Sequence, residues 1–178
     1  MKVNVVGTSG SGKSTVARQL AQKLAVPYIE MDKLYWRSGW QGTPGDEFLA
    51  RVNLALAEAA AGWVLDGNYT RTKAIKWREV DWVVWVDYGF FRTLWQAIRR
   101  ATLRSWRQSE LWPGTGNCES FRRSFFSRES IIWWTLKTYR QNRSKYLAEM
   151  QDADNGHIRF IHLRSPAETA SFLSSLQR

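Results

Sequence analysis

Several things are scarce in this sequence, and each scarcity excludes something. Cys118 is the only cysteine among 178 residues. No internal disulfide can form, so the fold does not depend on oxidation and a reducing, cytoplasmic setting is expected. Apolar runs are short. The longest, Trp82–Val86 and Ile131–Leu136, fall far below the roughly 20 residues that cross a bilayer, so no membrane partner is expected. The opening Met1-Lys2-Val3-Asn4-Val5-Val6-Gly7 reaches polar residues at once and reads as a first strand, not an apolar leader. The two histidines, His157 and His162, have no cysteine beside them and read as no metal site. There is no repeat and no low-complexity tract. With 44% hydrophobic and 24% charged residues, the composition excludes collagen, a disordered tail and a disulfide miniprotein. The length suits one domain with a core that needs no cross-links.

Acids are outnumbered: 26 Lys and Arg stand against 16 Asp and Glu, a net charge of +10. The excess is local, since residues 92–145 hold 12 basic and 3 acidic side chains, or +9 of the +10. Such a region calls for an anionic partner: small-molecule phosphates, nucleic acid or acidic lipid. A solvated basic helix face is the plainer alternative. Most of the 11 tryptophans are expected in the core or lining a cleft.

Strands and helices alternate along the chain. Residues 2–6 read as a buried strand, 7–12 as a glycine and serine turn, and Val16, Ala17, Leu20, Ala21 and Leu24 as one face of a helix ending before Pro27. A second strand covers 28–31, and 33–42 reads as irregular. A helix follows, with Thr43 as its N-cap and Pro44 in its first turn, running to Gly62. A third strand spans 63–66, a short polar helix 70–78, a fourth strand 82–87 and a basic helix 90–107. Residues 109–120 form a loop, 121–150 a helix with a break, 157–164 a fifth strand and 166–177 a last helix. This order predicts an α/β fold on a parallel sheet. Ligands of such sheets collect at the carboxyl ends of the strands, where Asp32, Asp66 and Asp87 fall.

The strongest signal is Gly7-Thr8-Ser9-Gly10-Ser11-Gly12-Lys13-Ser14, the G-x-x-x-x-G-K-[ST] phosphate loop (P-loop). Its glycines let successive N–H groups turn inward around phosphate oxygens, and the following helix adds its positive end. ATP is therefore expected on Gly7, Ser9, Gly10, Ser11, Gly12, Lys13, Ser14 and Thr15. Lys13 reaches the β- and γ-phosphates and Ser14 places a hydroxyl on Mg²⁺. Asp66 either holds the metal with Ser14 or caps a turn. Asp32 acts on the metal, orients an acceptor hydroxyl as base, or bonds a backbone N–H; Asp87 reads as structural. Arg100 and Arg104 share a helix face at i, i+4, with Arg122, Arg123, Arg128, Arg140 and Arg143 beyond the Pro/Gly loop. Arginine grips phosphate in two places and stays charged, so two such helices joined by a loop suit a closing lid. The same charges would serve a nucleic-acid reader, with Trp106 and Trp112 stacking on bases.

Taken together, the N-terminal phosphate loop, Trp63-Val64-Leu65-Asp66-Gly67-Asn68-Tyr69, the arginine-rich helix, Glu110-Leu111-Trp112 with its Gly and Asn, and His162-Leu163-Arg164-Ser165-Pro166 resemble the adenylate-kinase-related P-loop proteins often labelled DNA topology modulation proteins. The resemblance spans nearly the whole chain. It implies a nucleoside-monophosphate-kinase-like fold: five parallel strands in the order 2-3-1-4-5 flanked by helices, with a core of 1–91 and 151–178 and a basic helical lid at 92–150. It implies ATP and Mg²⁺ on Lys13, Ser14 and Asp66, lid arginines Arg100, Arg104 and Arg128 acting with Lys13 in catalysis, and adenine packed by Arg164 and Pro166. Adenylate kinases read Asp-Gly-Phe-Pro-Arg after the third strand, where this chain has Asp66-Gly67-Asn68-Tyr69-Thr70. The expected function is transfer of the γ-phosphate of Mg-ATP to a small acceptor of unnamed identity, held by Asp32, Trp36, Asn68 and Tyr69. The alternative is an ATP-binding regulator acting on DNA or a protein partner. The oligomeric state is left open.

Overall fold

In the structure, a computed structural model, residues 1–108, 110–119 and 130–176 are described. Arg122, Arg123 and Arg128 lie outside the described residues.

Five strands form a parallel sheet: β1 (Lys2–Gly7), β2 (Tyr28–Glu30), β5 (Trp63–Asp66), β6 (Trp82–Val86) and β7 (Arg159–Leu163). The order across it is β2-β5-β1-β6-β7, which is 2-3-1-4-5 when these five are counted along the chain, as expected. β1 is central, with Val5 opposite Asp66 on one side and Gly7 opposite Val86 on the other. The loop that leaves β1 therefore emerges between the ends of β5 and β6.

Both faces of the sheet are covered, which is why β6 and the interior of β5 are wholly apolar. Alternate side chains point to opposite faces. Val3, Val5, Val64, Val84 and Val86 pack with Val16, Ala17 and Leu20 of α1 (Lys13–Leu24) and Leu173 of α7 (Pro166–Ser175). Val6, Leu65, Val83 and Trp85 face the other way, onto Phe48 and Val52 of α3 (Gly45–Glu58) and Tyr146 of α6 (Ile131–Gln151). Asn4 breaks the apolar pattern on that second face. It is fully buried, and it donates to the Leu65 and Gly67 carbonyls and accepts from the Trp77 indole.

α1 ends at Ala25, whose left-handed backbone (φ 53°) caps the helix. α5 (Phe90–Arg107) has the expected bounds. Its buried side is Thr93, Ala97, Ala101 and Ser105, all small. The reason is visible at Gly10, where a Cβ would stand 2.7 Å from the Thr93 carbonyl oxygen and 2.8 Å from the Ala97 Cβ. α5 thus lies directly against the phosphate loop, and larger side chains on this side would push it away.

The structure corrects several local expectations. Thr43 is not the N-cap of α3: its hydroxyl donates to the Tyr35 carbonyl (2.7 Å), and Pro44 takes the cap position. Residues 33–42 are not irregular. They hold α2 (Met31–Tyr35) and a small antiparallel hairpin of β3 (Trp36–Arg37) and β4 (Gln41–Gly42). The polar helix after β5 shrinks to a 3₁₀ turn at Thr70–Thr72 and α4 (Lys73–Lys76). The fifth strand starts at Arg159, because Ile158 N–H turns back to the Asn155 carbonyl; His157 before it binds the Trp77 carbonyl through Nε2.

Candidate functional site

The loop between β1 and α1 is a built cradle. Gly7, Gly10 and Gly12 take φ of 154°, 87° and 92°, a region that disfavours any side chain. A Cβ on Gly7 would stand 2.5 Å from the Val86 carbonyl oxygen and 2.7 Å from Ser11 Oγ. Thr15 N–H and Val16 N–H return to the Gly12 carbonyl, so Lys13, Ser14 and Thr15 form the first turn of α1 and its positive end faces the loop. Ser11 is buried, and its hydroxyl has no hydrogen-bond partner among the described residues.

Asp66 ends β5 beside this loop. Tyr28 Oη donates to its Oδ2 at 2.9 Å. Its Oδ1 is buried, stands 4.0 Å from Lys13 Nζ and accepts no hydrogen bond among the described residues. Burial, the Asp66 charge and the Glu30 charge together raise the Tyr28 phenol far above its usual range, so it stays a donor. A buried carboxylate oxygen that accepts no hydrogen bond, at the end of the strand beside the loop that opens α1 with Ser14, has the chemistry of a hard-cation ligand. Ser14 and Asp66 thus fit Mg²⁺.

Asn68 does something the sequence did not suggest. Its Oδ1 accepts from Gly7 N–H at 2.9 Å and its Nδ2 donates to the Gly7 carbonyl at 2.6 Å, while Tyr146 Oη donates to the same Oδ1 at 3.2 Å. The amide is spent on the first residue of the phosphate loop. Tyr69 Oη donates to Asp32 Oδ1 at 2.7 Å, and burial with the Asp32 charge keeps that phenol protonated. Asp32 lies in the first turn of α2. Trp36 lies on β3 in an aromatic group, parallel to Trp112 at 6.4 Å and edge-on to Trp40 at 5.7 Å.

From the basic helices, Arg100 reaches inward and donates to Ser9 Oγ at 2.9 Å. Burial, and then the neighbouring Arg104, pull its guanidinium pKa below the usual value, while Glu119, Asp32 and Asp66 act in the opposite sense. Arg104 is paired with Glu119 at 3.1 Å. α6 rests on the loop as well: Thr135 Oγ1 donates to the Ser9 carbonyl and Asn142 Nδ2 to Thr8 Oγ1. Arg143 instead meets Asp87, which also accepts from His162 Nε2 at 2.8 Å. Asp87 thus anchors the end of β6 to β7 and α6.

Arg164 and Pro166 lie at the β7–α7 turn. Ser165 caps α7 by accepting from Glu168 N–H, Pro166 occupies the first turn, and Glu168 reaches back to Arg164 N–H. The Arg164 side chain is exposed beside His162, which stacks on Trp85 at 4.0 Å.

Sequence reasoning missed two residues. Asn117, almost fully buried, accepts from Trp40 N–H at 2.9 Å and donates to the Arg37 carbonyl at 2.8 Å, which ties the loop after α5 to the β3–β4 hairpin. Trp112 in the same loop donates to Glu30 Oε1 at 3.2 Å. Lys76 is buried and donates to the Gly67 carbonyl at 3.2 Å; burial, with Lys145 nearby, pushes its pKa down to about 7. The only hint for Asn117 is its place in the Glu110-Leu111-Trp112 segment with its Gly and Asn, which carries part of the family resemblance without assigning it a role, and nothing local marks Lys76.

A parallel sheet of this order, with a glycine cradle, Lys13 and an acid-tipped neighbouring strand at its carboxyl end, is the P-loop fold of the nucleotide-kinase-like kind. A family model described as Shikimate kinase matches residues 9–42, from the phosphate loop through β4. An adenylate kinase of Streptomyces griseus subsp. griseus is 34% identical over 85 residues, covering 38% of this chain and 39% of that protein. The chain thus spans about two fifths of the length of that relative. The likeness falls on the P-loop kinase group and does not name an acceptor. Among the described residues, no helix is long and apolar enough to cross a membrane and no cluster of metal-binding side chains of the His, Cys, Asp and Glu type is present.

Proposed function

We propose that the protein is an ATP-dependent phosphotransferase that moves the γ-phosphate of ATP to a small acceptor. The observation that carries this reading is the convergence of Lys13, the Asp66 Oδ1 that accepts no hydrogen bond and the half-buried Arg100 on one glycine cradle. Cationic groups held in a cleft at a loop of open N–H groups favour a polyphosphate. Ser14 and Asp66 would hold Mg²⁺, which supplies charge neutralisation on the phosphates when bound.

Each side chain has a task in this scheme. Lys13 binds the terminal phosphates. Arg100 leaves the Ser9 hydroxyl for the transferring phosphoryl group, where Arg104 and Arg128 assist as the helices close. Asp32, held by Tyr69 through one oxygen, uses the other to orient an acceptor hydroxyl in line. Trp36, with Trp40 and Trp112, walls the acceptor side and excludes water, which limits wasteful hydrolysis. Arg164 and Pro166 flank the adenine, and residues 92–150 act as the lid over a core of 1–91 and 151–178.

The two matching groups carry different acceptors in their names, so the acceptor is best sought among nucleoside monophosphates, nucleosides and small alcohols. The test is a screen of these compounds for ATP-to-ADP conversion. Lys13→Ala should abolish transfer while circular dichroism stays unchanged; normal turnover in that variant refutes the assignment. Arg104→Ala should slow transfer more than it weakens ATP binding, and unchanged turnover removes Arg104 from the scheme. ATP binding with no acceptor turned over, together with DNA affinity that falls steeply with salt, would favour the regulatory alternative.

A further inference from the structure

α5 is amphipathic in the wrong sense for a core helix. Its inward side is small, as the close approach to Gly10 demands. Its outward side carries Phe91, Trp95, Ile98, Thr102 and Trp106, spaced i, i+4, i+7, i+11 and i+15 along one stripe. Phe91, Trp95 and Trp106 are 84%, 61% and 76% exposed. In α6, which packs beside α5, Trp133 and Trp134 are also more than half exposed and Leu136 is exposed. Burying aromatics of this size is worth about 2 kcal/mol each or more, so a run of them in water marks a surface built for contact.

Charge decides what the contact is. α5 has five arginines and no acid. Arg100 and Arg104 turn inward, while Arg92, Arg99 and Arg107 are exposed beside the apolar stripe. Arg99 sits over the Trp95 ring, 5.7 Å from its centroid, so a cation and an indole share one level of the surface. On α6, Lys137 and Arg140 are exposed near Trp133. A second copy would bring two such cationic faces together and is disfavoured by repulsion. A nucleic-acid strand would use the rings for stacking but has no use for Ile98, Leu103 and Leu136, which are also exposed here. An anionic bilayer surface takes all three components: aliphatic and aromatic groups at the acyl boundary, indoles at headgroup level and arginines on the lipid phosphates.

Against the expectation of no membrane partner, which rests on the lack of a spanning run alone, we propose that the outer face of α5, with the neighbouring tryptophans of α6, docks peripherally on anionic membrane surfaces. The proposal does not rest on the phosphotransferase reading. It is tested by flotation of the full chain with vesicles of phosphatidylcholine, with and without phosphatidylglycerol, over a salt series. Binding is expected only to the phosphatidylglycerol vesicles and should weaken with salt. Trp95→Ser/Trp106→Ser should reduce partitioning at least about tenfold. Arg92→Gln/Arg99→Gln should reduce it about 25-fold, at roughly fivefold per charge. All four positions are exposed, and thermal melts of both variants verify folding. Absence of flotation with phosphatidylglycerol vesicles overturns the proposal, as does full flotation of either folded variant. So does a single-stranded oligonucleotide or a dimer, read by light scattering, that depends on Trp95 and Trp106 when vesicle binding does not.

Discussion

Replacing Asn68 by alanine separates two roles this side chain could play. Asn68→Ala removes the acceptor 2.9 Å from Gly7 N–H and the donor 2.6 Å from the Gly7 carbonyl. It also removes the partner of the buried Tyr146 hydroxyl. A buried polar group left unpaired costs about 1–3 kcal/mol. With two main-chain groups and one hydroxyl affected, and partial relaxation toward water, the loss should be about 2–4 kcal/mol of stability. Gly7 opens the phosphate loop, so the same change should weaken ATP binding at least about tenfold, or roughly 1.4 kcal/mol. Asn68→Asp keeps an acceptor for Gly7 N–H but sets an oxygen against the Gly7 carbonyl, and should weaken ATP binding too. Urea unfolding and calorimetric titration of Mg-ATP read both effects. If stability and ATP affinity are unchanged and only the acceptor KM rises, Asn68 is an acceptor contact and the positioning argument is wrong.

Lys76 predicts a pH dependence. Its folded pKa of about 7 lies below the ordinary 10.5, so between these values the unfolded chain binds more protons and stability rises with pH. The slope is at most roughly 1.4 kcal/mol per pH unit, and this group adds none below pH 7, where it is charged in both states. Lys76→Met should lose that rise in unfolding curves taken across this range, and parallel wild-type and variant curves would refute it. Gly10→Ala should cost about 2–4 kcal/mol from overpacking against Thr93 and Ala97 and from its left-handed backbone; an unshifted denaturation midpoint would contradict the close approach of α5. Asn117→Ala frees the β3–β4 hairpin from the loop after α5 and should raise the acceptor KM several-fold with ATP affinity intact. Equal loss of both would place Asn117 in the nucleotide site instead.

The parts of this protein legible in the sequence are those written in short-range pattern. The phosphate loop is contiguous, β6 is an apolar run and α5 keeps its period from Phe90 to Arg107, so the cradle and the parallel α/β class follow from local signals, while the strand order follows from the family resemblance alone. The misses all depend on partners distant in sequence. Thr43 has the local signature of an N-cap, yet the Tyr35 carbonyl eight residues earlier claims its hydroxyl. The motif of Asn68 suggests an acceptor contact and gives no sign of its bonds to Gly7, 61 residues away. Asn117 lies in a quoted family segment that assigns it no role and Lys76 lies in none, and the importance of both appears only when burial puts their polar atoms against main-chain groups. The charge count located the basic helices but not their aim: Arg100 points to the loop, Arg104 and Arg143 are matched by acids, and Arg99 lies outward on Trp95.

The single thiol offers a practical return. Cys118 is exposed, pairs across its loop with Glu110, and directly follows the asparagine that fastens this loop to the hairpin. A dye attached there needs no engineered cysteine and no removal of competing ones. Its fluorescence, followed as nucleotide and acceptor are added in turn, would give a direct optical record of when that fastening lets go.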